Sequence, residues 1–114
     1  MSQPRARKRD SAQSLDKQLR FAISRKRLIG LRYDGVLRIG EPHDYGIRRG
    51  TPRLLFYQLQ RATGDQRWAA MVGWKELWLS KIEACTVSQE TFPGSRESSH
   101  RKHLTWDKLF ARVK

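Results

Sequence analysis

A chain of 114 residues is long enough for one compact domain with short extensions and too short for a second independent core. Lysine and arginine number 24 against 11 aspartate and glutamate, and the formal charge of +13 points to polyanionic partners, because each cation set against a phosphate releases condensed counterions. The lone cysteine, Cys85, excludes a disulfide framework, no Cys/His set has structural zinc spacing, and no apolar run approaches the ~20 residues that cross a bilayer, so the chain reads as a soluble protein of a reducing, cytoplasmic compartment with no membrane contact.

Residues 1–13 carry Arg5, Arg7, Lys8 and Arg9 and almost no large apolar side chain. Such a stretch cannot repay the entropy of folding, which predicts a flexible basic arm, and no apolar signal-peptide core follows it. From Ser14, a suitable N-cap, the residues Leu15, Leu19, Ala22 and Ile23 fall at helical spacing with Asp16 in the first turn. An amphipathic helix should end at Arg25 to Arg27, where cations meet the negative end of its dipole.

Ile29, Leu31 and Tyr33 then alternate with other residues, Asp34-Gly35 supplies a two-residue turn, and Leu37 and Ile39 resume the alternation. This is a hairpin signature, since both central residues of the tight turn need positive φ. Pro42 should close or bend the second strand because it donates nothing to a ladder. The stretch Arg48 to Pro52 marks another turn. Arg53 to Gln60 reads as a strand with Leu55, Tyr57 and Leu59 on one face and Leu54, Phe56 and Gln58 on the other.

A polar connection containing Gly64-Asp65 leads to a tryptophan-rich segment in which Trp74, Glu76 and Trp78 alternate with Lys75, Leu77 and Leu79. Ser80-Lys81 then turns the chain into a final strand, Glu83 to Ser88. Short strands separated by turns predict a mainly β fold, a small barrel of about five strands behind the N-terminal helix. After a loop, Trp106, Leu109, Phe110 and Val113 sit at i, i+3, i+4 and i+7 and predict a short C-terminal helix. The expected division is an arm over 1–13, a barrel with its leading helix over 14–96, and a loop and helix over 97–114.

This order of features resembles the WYL domain, a family of small β-barrels of Sm-like architecture found in bacterial and phage regulators. The resemblance covers roughly Leu15 to Arg96 and rests on Ala22-Ile23, the strand ending at Tyr33, Asp34-Gly35, Glu41-Pro42-His43, Tyr45-Gly46, Gly50, and Leu54 with Tyr57-Gln58. Lys75, Leu77 and Ile82 resemble the later strand of the family, and the stretch Phe92 to Arg96 resembles its closing segment. Pro52, Arg53 and Leu54 stand where the name-giving Trp-Tyr-Leu would be, and Lys75 stands for an arginine, keeping the charge without the planar fork. The resemblance implies a sensor or effector-binding module for nucleotides, single-stranded nucleic acid or other anionic ligands in transcriptional and defence regulation.

Arg38, Arg48, Arg49, Arg53 and Lys75 are the candidate phosphate contacts. His43, beside the proline bend, is a candidate donor to a phosphate or a base, with Glu41 orienting it or pairing an arginine. Tyr45, between Asp44 and Gly46, is a candidate stacking platform; Tyr57 joins the set from a strand apolar on both faces, where packing is the simpler role. The four tryptophans Trp68, Trp74, Trp78 and Trp106 read chiefly as core, as does Cys85. His100 and His103 alone make a weak metal pair.

No glycine-rich phosphate loop, nucleophile elbow or HExxH motif is present. The sequence therefore reads as a non-enzymatic regulatory module for nucleic acid or a nucleotide-like anion, without cofactor or metal. Its alternative is a protein-interaction accessory subunit that supplies ligand sensing or dimerisation to another regulator, self-association into a homodimer included.

Overall fold

The computed structural model describes residues 8–59, 72–96 and 104–114. They form one helix, α1 (Lys8–Arg25), and six strands: β1 (Arg27–Tyr33), β2 (Val36–Arg48), β3 (Thr51–Leu59), β4 (Gly73–Trp78), β5 (Ile82–Thr91) and β6 (Lys108–Arg112). A single 3-10 turn, Leu79–Lys81, joins β4 to β5. The strands build one antiparallel sheet in the order β4-β3-β2-β1-β5, with β6 also paired to β2. The mainly β class holds. The described strands make an open sheet, with β4 and β5 at its outer edges, rather than a closed barrel. Among the described residues no helix is long and apolar enough to cross a membrane.

Helix α1 begins at Lys8, so Ser14 lies inside it rather than at its cap, and residues 8–13 are helical rather than part of an arm. The arginine, alanine and glutamine of that stretch are good helix formers, and extending an anchored helix avoids the cost of nucleating one. The rest of the expected arm, residues 1–7, lies outside the described residues, as do Trp68, His100 and His103. The apolar stripe of α1 is buried at Leu19, Ala22 and Ile23, where it packs with Ile29, Leu31, Leu54, Phe56 and Leu77 from the inner face of the sheet.

Two tight turns set the register. Asp34 and Gly35 take φ of 51° and 76°, placing Tyr33 opposite Val36, and Arg49 and Gly50 take 52° and 74°, placing Arg48 opposite Thr51. Pro42 does not close β2. The strand runs through it, and the ladder slips by one residue, with Pro42 opposite Phe56 and Asp44 opposite Leu55, so that His43 forms a bulge.

The expected C-terminal helix is instead strand β6. β1 covers one edge of β2 only along Val36 to Gly40, which leaves the donors and acceptors of Asp44 to Ile47 facing an empty edge. β6 fills that edge, pairing Asp44 with Arg112 and Ile47 with Lys108. A ladder satisfies those backbone groups, whereas a helix packed there would leave them buried and unpaired. Gly46 makes the close approach feasible, because a Cβ at that position would collide with the Lys108 carbonyl. Arg112 also bonds Asp44 at 3.1 Å across the pair.

Candidate anion-binding site

Cross-strand pairing sorts the predicted site residues onto two faces. Arg53, Leu55 and Tyr57 of β3 pair with Trp78, Glu76 and Trp74 of β4, and with Gly46, Asp44 and Glu41 of β2, so these side chains share the outer face. Tyr45, Arg38 and Lys75 belong to the opposite, helix-covered face, with Leu54, Phe56 and Leu77. The structure therefore divides a set that the sequence placed together.

Tyr45 is not a stacking platform. It is buried, its ring lies 5.2 Å from that of Phe110 in an edge-on contact, and its hydroxyl donates to Asp16 at 2.7 Å. Burial, followed by the Asp16 hydrogen bond and charge, raises the Tyr45 pKa and outweighs the opposing effect of Arg20. Burial alone would raise the Asp16 carboxyl, but hydrogen bonds from Tyr45 and Arg20 reverse this and hold it below its ordinary value. Tyr45 thus ties β2 to α1. Arg38, on the same face, donates to Gln58 at 2.7 Å and lies over the Tyr33 ring at 5.5 Å. Lys75 is half-buried in β4.

His43 is not a ligand donor on the surface either. The bulge turns it into a buried cluster in which Nε2 donates to Glu41 Oε1 at 2.9 Å and the ring packs against Trp74 and Phe92. Segment 92–96 crosses this part of the outer face. Arg96 grips both oxygens of Glu41, at 2.7 and 2.9 Å, and lies 3.9 Å over the ring of Tyr57, which itself packs edge-on against Trp74. Burial pushes the Glu41 carboxyl up, yet the bonds and charges of Arg96 and His43 outweigh it, leaving its pKa lowered. Glu41 thus orients His43 and pairs an arginine at once. The chemistry of this cluster is structural cohesion.

One part of the outer face stays open. At the ends of β2, β3 and β4, Arg48 and Arg53 both donate to Glu76 Oε1, at 2.7 and 2.9 Å, from side chains 13% and 12% exposed. Beside them Trp78 is 41% exposed, with the Arg53 guanidinium 5.2 Å and the Lys81 ammonium 5.3 Å from its ring centre. The backbone N–H of Trp78 donates to the Tyr33 hydroxyl, which fixes the strand end that carries the ring. Arg49 stands exposed in the adjoining turn.

Cations beside an exposed indole supply the two elements that an unstructured polyanion needs, charge for the backbone and a π face for a base. Trp78, Lys81 and Glu76 were not among the expected site residues. Their only signal was the alternation that puts Trp78, Glu76 and Trp74 on one face; that the Trp78 end is open and the Trp74 end covered depends on segment 92–96. Among the described residues no cluster of His, Cys, Asp and Glu could hold a metal ion. Cys85 is an inner-face residue whose thiol is pushed up to about 11 by burial, consistent with packing rather than reactivity. No family model, curated protein or solved structure matches the chain.

Proposed function

We propose that the chain is a non-enzymatic, WYL-like regulatory module that binds nucleic acid or a nucleotide-like anion at the open end of the β2–β3–β4 face. The observation that carries this reading is the exposed Trp78, set between Arg53 and Lys81 and next to the Arg48–Arg53 pair. A base stacked on the indole contributes about 1–3 kcal/mol, while the arginines neutralise phosphate and the overall charge of +13 speeds encounter. The leading helix, the consecutive antiparallel strands and the 3-10 turn before β5 support an Sm-like architecture for the module. Regulation of transcription or defence follows from the WYL resemblance alone.

Replacing Arg48 and Arg53 together with Gln tests the assignment. Binding to single-stranded, duplex and mononucleotide probes, titrated over a salt series, should weaken, and the slope of log affinity against log salt should fall by about one for each lost phosphate contact. Unchanged affinity for every probe, with the variant folded, refutes it. A second reading, as a protein-interaction subunit, is favoured by a groove of about 420 Å³ on the outer side of β1, β2 and β5, where Gly30, Ile39 and Ala84 lie beside a Leu37 that is 41% exposed. A stoichiometric, salt-tolerant complex with a protein would favour that reading.

A further inference from the structure

Glu76 faces the proposed ligand with the wrong sign of charge. Its Oε1 receives both Arg48 and Arg53, while Oε2 has no hydrogen-bond partner among the described residues. Two guanidinium groups therefore converge on a single oxygen and are balanced by one negative charge. The cluster is largely shielded, with Glu76 itself 22% exposed, and the Nε atoms of Arg48 and Arg53 are buried without a partner among the described residues. Shielded cations in excess of their counter-charge are costly, and their idle donors are strong ones. Among the described residues the deficit is one anionic group.

We propose that Glu76 is a built-in stand-in for a ligand phosphate: in the free protein it holds Arg48 and Arg53 aimed at one point, and an incoming phosphate oxygen takes over that point. This deepens the reading of the open face as an anion site and rests on it. The carboxylate has two effects that oppose each other. It keeps the arginines ordered, which lowers the entropy lost on binding, and it repels and competes with the phosphate, which sets a threshold against weakly held anions. The shared chemistry is a phosphate oxygen accepting from two guanidinium groups. Its source is either the diester backbone of a strand or the terminal group of a mononucleotide.

The test compares wild type, Glu76→Gln and Glu76→Asp against two probes, a thymidine oligonucleotide without terminal phosphates and thymidine 5′-monophosphate. Glu76→Gln should bind about tenfold more tightly, with a salt slope steeper by about one, because one competing charge is gone. Glu76→Asp keeps the charge but shortens the reach, so its slope should stay that of wild type while the arginines lose their shared anchor. A gain for the oligonucleotide alone assigns the position to a backbone diester, and a gain for the monophosphate alone assigns it to a terminal phosphate. Circular dichroism and thermal melting establish that each variant is folded.

In the unmutated protein, the Nε–H resonances of Arg48 and Arg53 should shift when the tighter probe is added. Wild-type binding that Glu76→Gln leaves unchanged or weakens, or binding that leaves both arginine resonances in place, overturns the role of Glu76 alone. Absence of binding by wild type and both variants overturns the anion site and this role with it.

Discussion

Glu41 and Glu76 lie on the same face of one sheet, and each is held by arginine, yet they are built differently. Glu41 is buried, spends both oxygens on Arg96 and accepts from His43 as well, under the cover of segment 92–96. Glu76 stands at the open end and offers one oxygen to two arginines. In the first cluster both carboxylate oxygens are already spent, so an incoming anion would have to displace Glu41 from Arg96. In the second the donors outnumber the acceptors among the described residues, so an anion improves the balance. What separates a structural carboxylate from an exchangeable one here is stoichiometry and cover, not residue type.

The largest effect should come from breaking the saturated cluster. Glu41→Gln keeps the shape but removes the charge between Arg96 and the buried His43, and should cost about 2–3 kcal/mol in urea unfolding, less than the roughly 3–5 kcal/mol of a fully buried pair because the Arg96 side chain is 41% exposed. The same cluster predicts acid lability. The Glu41 pKa is lowered in the folded state, so its stabilisation is complete above its ordinary value of 4.5 and drains away as pH falls through the lower folded value. Asp16, lowered from 3.8 by Tyr45 and Arg20, adds loss in the same direction. Unfolding free energy measured from pH 6 to 2 should therefore decline less steeply in Glu41→Gln than in wild type. Equal slopes would mean that the cluster is not the source of the acid sensitivity.

Glu76→Gln should cost the fold less, about 1–2 kcal/mol, since the glutamine carbonyl still accepts from Arg48 and Arg53 and the Glu76 side chain is 22% exposed against 4% for Glu41. A loss as large as that of Glu41→Gln would erase the distinction between the two carboxylates and return Glu76 to a purely structural role. Stability and affinity are thus expected to move in opposite directions at Glu76, and only there.

The comparison also shows what the sequence could carry. Asp34-Gly35 and Arg49-Gly50 announce their turns because positive φ is a local demand, and the stripe of Leu19, Ala22 and Ile23 announces the helix because its period is local too. The C-terminal segment misleads for the same reason. Trp106, Leu109, Phe110 and Val113 match a helical stripe, but the deciding fact is an unpaired edge on β2, some sixty residues earlier in the chain. Arg48 and Arg53 were legible as charges, whereas their convergence on Glu76 depends on the β3–β4 register across a connection of which residues 60–71 are outside the described structure. The misplacement of Tyr45 and His43 has the same origin. Neighbours in sequence suggested exposure, while their cover comes from α1, β6 and segment 92–96.

The smallest effect on the fold, and the sharpest on function, should be found at Trp78. Two indoles stand on one face four residues apart: Trp74 is packed against His43 and Tyr57 under the closing segment, and Trp78 is 41% exposed with Arg53 and Lys81 beside its ring. Trp78→Ala removes a half-exposed ring and its contacts with Arg53 and Lys81, so stability should fall by about 1 kcal/mol. Affinity for a single strand should nevertheless fall by about 1–3 kcal/mol, because among the described residues no other exposed indole lies beside Arg53 to replace the lost stack. The salt slope should hardly move, since an indole releases no counterions, and this separates the role of Trp78 from that of Arg48 and Arg53. A slope that drops as it does in the arginine variants would mean that Trp78 acts by positioning Arg53 rather than by stacking. Unchanged affinity would confine the open end of the sheet to electrostatics, leaving the arginine pair and its shared carboxylate as the whole of the site.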